Sequence, residues 1–249
     1  MRAAILMSIA AGLTWSQTGP LFDAASVKAL PPGTRFAPIR RDSGRVSAAA
    51  TSLQLLIGEA WGVGPDQVTG PDWLSDEMFS VVATFPDDTP AEQFQMMLQN
   101  LLAERFHLAV HRERKPIDGY DLVIAKGGPK LKESTESSQP RETGRFGRDG
   151  ATLVYTKMSI SRFAGEMPMR IRQANGPRGA ALGAIRVIDK TGLAGDYDFS
   201  IHYAREGDDD PGPDLFAALE TQVGLKLQPE KIPLDFIVVD HAEKSPGEN

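Results

Sequence analysis

The stretch MFSVVATFPDDTPAEQFQMMLQNLLAER, residues 78–105, decides the fold class because its hydrophobic period changes once along its length. Residues 78–83 are rich in apolar and β-branched side chains, and their pattern predicts a β-strand. Residues 90–105 open with a proline suited to the first turn of a helix and continue with apolar residues at helical spacing. A strand followed at once by a helix predicts a chain that mixes the two kinds of element.

The same order of elements recurs later in the chain. DFSIHY, residues 198–203, matches residues 78–83 at a separation of 120 residues and also predicts a strand. Ser52 and Ser159 are each a suitable N-cap for the helix that follows, and each of those helices carries apolar residues along one face. A second helix is predicted for residues 213–223.

After the second helix of each half we predict a β-hairpin. The strands of these hairpins are residues 106–110 with 120–124 and residues 225–229 with 236–239. Five matched segments in one order favour an α+β fold built from two tandem copies of a β-α-β-α-β-β unit with mostly antiparallel sheets. Chance similarity between any two α/β segments is the alternative. Residues 24–28 and 34–40 are further strand candidates that precede the first copy.

Composition divides the chain into four parts. Residues 1–16 open with Arg2 and continue as an apolar run too short to span a bilayer, which predicts a secretory signal peptide. Residues 17–132 and 151–249 hold the two repeats, and the polar residues 133–150 are predicted to form a loop or linker between them. We therefore expect a periplasmic or secreted protein that meets the membrane only through an uncleaved N-terminal segment, if at all. A buried N-terminal helix in a cytoplasmic protein is the alternative.

Charge and cysteine content exclude several functions. The 249 residues carry a formal net charge of −6 and include no cysteine. Phosphate binding needs an excess of basic residues, so we expect no nucleic-acid partner. A chain without cysteine has no disulfides, no thiol nucleophile and no zinc bound through sulfur. Core burial must therefore stabilise the fold.

Six segments carry a resemblance to a known family. They are FDAASVK (22–28), GPDWL (70–74), MMLQNLLAERF (96–106), AKGGPKL (125–131), VIDKTGLAGDYDF (187–199) and VDHAEKSP (239–246). With these segments the chain resembles the exported soil-bacterial family of unknown function DUF3738, which is abundant in acidobacteria. The resemblance implies export, an α+β fold and, in some relatives, attachment to membrane-bound peptidase-like sensor domains. It also implies hydrolysis of lactones, including the acyl-homoserine lactones that are destroyed in quorum quenching.

Histidines are the natural candidates for acid–base catalysis near neutral pH. His111 and His241 are the two candidate bases, and Asp240 directly precedes His241. Neighbours on a strand point to opposite faces, so Asp240 can orient His241 only if the strand has ended; otherwise Asp189 or Asp198 would have to do so. The commoner role of such a histidine is that of an exposed cross-strand partner. His107 is predicted to share a strand with His111, about 13 Å away and too far for one metal ion.

The loop EGDDDPGP, residues 206–213, is the densest group of carboxylates in the chain. Calcium favours several oxygen ligands from one flexible loop, so calcium is the candidate cofactor. The loop lacks the spacing of an EF-hand, and a solvated acidic loop is the alternative. The candidate ligands are Asp208, Asp209, Asp210 and Asp214.

Two functions follow from these observations. The first is an exported hydrolase of small esters or lactones, with His241 or His111 as the base, and it depends mostly on the resemblance. The second is a non-catalytic module that binds a small-molecule ligand or an envelope protein. The sequence contains neither the Gly-x-Ser-x-Gly elbow of α/β-hydrolases nor a histidine-rich zinc motif, which favours the second function.

Overall fold

The structure is a computed structural model that describes residues 19–135, 137, 139–179, 182–209 and 212–247. The predicted signal peptide and Asp210 lie outside these ranges. Helices and mostly antiparallel sheets make up the described residues, which confirms the α+β class. None of the described helices has both the length and the apolar composition needed to cross a bilayer.

The described strands are, in chain order, β1 (Ala24–Ala29), β2 (Arg40–Asp42), β3 (Arg45–Ser52), β4 (Val68–Thr69), β5 (Met78–Thr84), β6 (Ala109–Ile124), β7 (Lys132–Glu133), β8 (Arg141–Gly147), β9 (Gly150–Ser159), β10 (Val187–Asp189), β11 (Asp196–Tyr203) and β12 (Leu225–His241). The helices are α1 (Leu53–Trp61), α2 (Trp73–Asp76), α3 (Ala91–Phe106), α4 (Ile160–Ala174), α5 (Gly176–Gly179) and α6 (Leu215–Ala218). A 3-10 turn at Pro65–Gln67 and a π turn at Leu219–Val223 complete the set.

The chain folds into two compact units. Unit 1 ends at Arg112 and resumes at Phe236, and unit 2 runs from Glu113 to Asp235. The boundaries therefore fall inside the long strands β6 and β12. The sequence predicts a linker at residues 133–150 between two repeats. The compact units therefore have different boundaries from the predicted repeats.

Unit 1 has an antiparallel sheet in the order β1-β5-β3-β2. Ser52 caps α1 as predicted, because its hydroxyl accepts a hydrogen bond from Leu55 N at 3.3 Å. The buried core joins side chains of the sheet to those of α1 and α3, and it also takes in Ile237 and Val239 from the end of β12. That end of β12 pairs in parallel with β4.

Unit 2 has a sheet in the order β7-β11-β9-β8, and its neighbouring strands are antiparallel. Ser159 caps α4 as predicted, and Asp214 caps α6 by accepting from Ala217 N at 2.8 Å. The core contains a ring cluster in which Tyr155 stacks on Phe199 at 4.9 Å between centroids.

The predicted β-hairpins are wrong. Residues 109–110 and 120–124 belong to one long strand, β6, and residues 225–229 and 236–239 belong to another, β12; these two strands are hydrogen-bonded neighbours. The turn of a hairpin with strands 106–110 and 120–124 would fall before Tyr120, but β6 continues through Gly119. A Cβ atom there would lie 2.4 Å from Ile232 Cδ1 and 2.7 Å from Arg186 O, so the glycine permits close packing of neighbouring strands.

Residues 133–150 also differ from the prediction of a loop, because they include β8. This strand reads RETGRFG and is mostly polar, so it lacks the apolar alternation that identifies a half-buried strand. It pairs with β9 in an unbroken register from Arg141↔Thr156 to Gly147↔Gly150. Of the strand predicted at 34–40, only Arg40 lies in a strand.

The two units share an order of elements. The series β2-β3-β5, with α1 after β3, has its counterpart in β8-β9-β11, with α4 after β9. A common origin by duplication stays a prediction.

Candidate functional site

Asp240 orients His111 rather than its chain neighbour His241. His111 Nδ1 lies 2.9 and 3.0 Å from the two carboxylate oxygens of Asp240. The alternation of side chains along β12 turns Asp240 away from His241, and the pairing of β6 with β12 brings it to His111 instead. Both side chains of the pair are about half exposed, at 54% and 50%. The result is a histidine–carboxylate pair open to solvent.

His107 does not lie on a strand, contrary to the prediction. It ends α3 in a left-handed conformation, with φ of 47°, and β6 begins only at Ala109. Its Nδ1 lies 3.3 Å from Glu243 Oε2, and both side chains are exposed. The C-terminal segment also donates from Glu243 N to Phe106 O at 2.8 Å. His107 therefore helps to hold this segment at the end of α3.

Asp189 has a local structural role. Its Oδ1 accepts hydrogen bonds from Thr191 N at 2.9 Å and from Thr191 Oγ1 at 2.7 Å, which closes the turn after β10. Asp189 belongs to unit 2, whereas His111 and His241 belong to unit 1. His241 is exposed at the end of β12, and no hydrogen bond or ion pair of the described residues joins it to His111.

Two of the candidate calcium ligands bind protein groups. Asp208 forms a forked ion pair with Arg205, at 3.0 Å from Nε and 2.9 Å from Nη2, and these hydrogen bonds lower the pKa of Asp208. Asp214 caps α6, and the backbone N–H of Asp209 donates to Arg148 O. Asp210 lies outside the described residues. Within the described ranges no three acidic or histidine side chains converge as a metal site would require, and calcium stays a prediction.

One face of the unit 2 sheet carries an array of side chains that are polar except for Val154. Strand register places most of these residues in rows across β8, β9 and β11, and all are exposed or half-buried. A groove of about 560 Å³ runs over one end of the array, from Arg141 past Thr156 to Asp198 and Ser200. Two full rows are Thr143–Val154–Ser200 and Arg145–Thr152–His202; next to them Arg141 pairs with Thr156, and Asp198 lies where the β9–β11 register shifts.

Asp198 holds the geometry of this face. Its Oδ1 accepts from Lys157 N at 2.9 Å, and this hydrogen bond lowers the pKa of the Asp198 carboxyl. Lys157 has φ of 54°, in the left-handed region, at a point where the β9–β11 register shifts between Tyr197 and Phe199. The carboxylate therefore fixes an irregular turn of β9 that few L-residues adopt unaided.

The strand β8 forms an edge of the sheet. Five of its seven residues are exposed, and its backbone groups on the side away from β9 have no strand partner within the sheet. Arg141, Arg145 and Arg148 make the edge basic, and Arg145 pairs with Asp149 at 2.8 Å. In the part of the chain that the structure describes, Arg141 has no ion pair. Sequence inspection missed this surface because β8 carries no apolar alternation.

Fold and site together define an α+β protein with two sheet-and-helix units, one of which exposes a long basic strand edge. The family described as "Protein of unknown function (DUF3738)" matches residues 54–242, which are 189 of the 249 residues. The chain belongs to this family. No curated protein and no solved structure matches it.

Proposed function

We propose that this protein is a non-catalytic binding module of the cell envelope that takes an extended acidic segment of a partner protein along β8. The observation that carries the proposal is the length and exposure of this edge strand. β8 has seven residues, five of them exposed, whereas β1, β2, β4, β7 and β10 at the other described sheet edges have six, three, two, two and three, and only three of the six in β1 are exposed. Natural sheets keep free edges short, because a long edge pairs readily with another chain.

Backbone geometry says which groups of β8 would bind. Gly147 and Gly150 flank a two-residue turn and form the first hydrogen-bonded pair, so Arg145, Thr143 and Arg141 also turn their N–H groups toward β9. The backbone groups of the residues between them point outward. Gly144 therefore stands at the centre of the free edge, and main-chain hydrogen bonds to an added strand would form there.

Charge selects the partner. The edge bears Arg141, Arg145 and Arg148 against two acidic residues that are already paired, Asp149 with Arg145 and Glu142 with the buried Arg170, so it attracts an acidic segment although the protein has a net charge of −6. Direct pairing of β8 with β8 of a second copy would place arginines close to one another, and like charges across a strand pair are destabilising. Arg141, unpaired and beside the groove, is the first residue that an acidic side chain would meet.

The test is fluorescence anisotropy with a labelled eight-residue peptide of alternating glutamate and valine. Gly144→Pro removes the outward donor, and we expect at least a tenfold loss of affinity, about 1.4 kcal/mol. Gly144→Ala is the matched control. Alanine and proline both add a Cβ atom, 2.8 Å from Phe146 and 3.0 Å from Leu153, but only proline lacks the backbone N–H. Equal binding by the Pro and Ala variants would remove β8 as the site.

A second pair of variants tests the role of charge in binding. Arg141→Glu should weaken binding and its dependence on salt, whereas Arg35→Glu, an equal change of net charge on an exposed residue of unit 1, should leave both unaltered. A neutral peptide of alternating glutamine and valine that binds as tightly as the acidic one would contradict the proposed partner.

A second candidate function is the hydrolysis of small esters or lactones, acyl-homoserine lactones included. The His111–Asp240 pair favours it: a carboxylate on Nδ1 leaves Nε2 to take a proton from an attacking water. With a chromogenic ester, His111→Ala should lower turnover by ~10²–10⁴, and His241→Ala should not. Adding a chelator to the same assay tests the calcium proposed at Asp208, Asp209, Asp210 and Asp214. An ester that is not hydrolysed at all would leave only the binding module.

Export to the periplasm or the medium, and a soil-bacterial origin, complete the proposal. Support comes from the apolar run in residues 1–16 and from the resemblance described above. Mass spectrometry of the mature protein should show an N-terminus between about Trp15 and Thr18. Intact Met1 in a cytoplasmic fraction would contradict export.

A further inference from the structure

The side chains of β8 divide between the two faces of the unit 2 sheet. Glu142 accepts a hydrogen bond from Arg170 of α4, which is buried, so Glu142 lies on the inner face. A Cβ atom on Gly144 would meet the fully buried Leu153, so Gly144 faces inward as well. Alternation along the strand places the remaining side chains on the outer face. They are Arg141, Thr143 and Arg145.

An added strand would meet these outer side chains at close range. Each neighbouring pair of strands in this sheet is antiparallel, and antiparallel pairing is slightly the more stable per residue, so the added strand runs opposite to β8. The backbone groups of the outer residues point toward β9, so a residue that faces one of them forms a pair without hydrogen bonds. Cα atoms of such pairs lie about 4.5 Å apart, against about 5.5 Å in hydrogen-bonded pairs. The outer positions therefore discriminate most between facing side chains.

Two of the three outer positions are basic. Arg141 and Arg145 are four residues apart, which is about 14 Å along a strand. Arg145 pairs with Asp149, but these side chains are 81% and 67% exposed, and pairs so exposed to solvent contribute little. Both guanidinium groups can therefore bind carboxylates of a facing strand. Two carboxylates meet both arginines only if they are also four residues apart.

The inner positions of β8 favour other residues. Glu142 already balances the charge of Arg170, so a carboxylate that faced Glu142 would meet a like charge. Phe146 is 48% exposed, and its ring reaches to 2.8 Å from where a Cβ atom of Gly144 would lie. An apolar side chain that faces Gly144 meets no side chain directly opposite and covers exposed carbon of the ring.

We propose that β8 recognises a segment that runs antiparallel to it and carries two acidic residues four positions apart, with an apolar residue directly after the first. The first acidic residue faces Arg145 and the apolar residue faces Gly144. Uncharged residues face Thr143 and Glu142, and the second acidic residue faces Arg141. This inference rests on the proposed binding along β8 and adds the spacing and direction of the partner segment.

Two labelled peptides of one composition test the spacing by fluorescence anisotropy. The matching peptide is TVEVTQET, and TVEVEQTT brings its glutamates to a separation of two. In the second peptide only one glutamate at a time can face an arginine, so we expect binding about threefold weaker than that of the matching peptide. Gly144→Pro, which removes the outward N–H at the centre of the edge, should weaken the matching peptide at least tenfold.

An exchange of charges tests the direction. Arg145→Glu should weaken the matching peptide about tenfold, because an attraction becomes a repulsion. Lysine in place of the first glutamate of the peptide should restore the affinity for this variant, whereas lysine in place of the second should not. Arg141→Glu is the matched control, and there the second lysine should restore the affinity and the first should not.

The possible failures differ from one another. Equal affinity of the wild type for the two peptides would overturn the spacing, and rescue of Arg145→Glu by the second lysine would overturn the direction. Either result leaves β8 as a binding edge. A wild-type protein that binds neither peptide would overturn the proposed function and this inference together.

Discussion

At the scale of single residues, Glu166 is a carboxyl whose ionisation the fold opposes. Burial is the largest cause of its raised pKa, and the neighbouring Glu142 adds to it. The folded protein therefore binds the Glu166 proton more tightly than the unfolded chain does. Stability from this proton is present below the ordinary pKa of 4.5 and is lost as pH rises through the raised value.

Glu166→Gln should remove this pH dependence. Glutamine has a similar shape and cannot ionise, so the variant's free energy of unfolding should stay level where that of the wild type falls with rising pH. Urea unfolding at intervals between pH 4 and pH 8 measures the difference. Parallel curves for the two proteins would show that Glu166 ionises as freely in the folded protein as in the unfolded chain.

Residue types could be picked out from the sequence, but their partners could not. His111 and Asp240 are both recognisable candidates, yet they are 129 residues apart and meet only through the register of β6 against β12. No local pattern reports that register. The buried Arg170 of α4 could have been identified from the sequence but was not. Met167 and Ile171 mark the helix face that packs into the core, and helical spacing places Arg170 on that face, where a charged residue is unusual.

At the scale of elements, helix starts were the most predictable features. Ser52 and Ser159 were identified from residue type and position alone, and both caps are confirmed. Strand ends were less predictable, because the hairpin requires a turn between residues 110 and 120, whereas the chain continues there as β6. Caps depend on local chemistry, whereas strand length depends on partners far away in sequence.

Loss of either cap should lower stability by a similar amount. Ser52→Ala and Ser159→Ala each leave a backbone N–H at the start of a helix unpaired, which costs about 1 kcal/mol. Ser200→Ala, on the exposed face of β11, is the matched control and should change little. Chemical denaturation monitored by circular dichroism gives all three values. A control that loses as much as the cap variants would argue against capping as the cause.

At the scale of the whole molecule, unit 1 is made from two distant parts of the chain. Ile237 is fully buried and Val239 nearly so, in the same core as Leu53 and Phe106. The segment after Asp235 is therefore part of a core whose other residues precede residue 113. The predicted linker at residues 133–150 could not reveal this arrangement. Composition indicates where loops lie, but it does not indicate which strands share a core.

Ile237→Ala should be strongly destabilising although it lies close to the end of the sequence. Removing a fully buried isoleucine side chain to the Cβ costs about 2–5 kcal/mol. Lys244→Ala, an exposed change farther along the same segment, should cost well under 1 kcal/mol. Urea midpoints compare the two, and equal midpoints would show that the end of β12 does not belong to the unit 1 core.

The split of unit 1 also bears on the order of events on the ribosome. Domains commonly fold in the order of their synthesis, the N-terminal one first. Here the middle of the chain is complete once Asp235 has been made, while the earlier residues still await the last strand that fills their core. A nascent chain arrested after Asp235 should therefore resist protease within residues 113–235 and be cut before them, so that the half made first is the half that matures last.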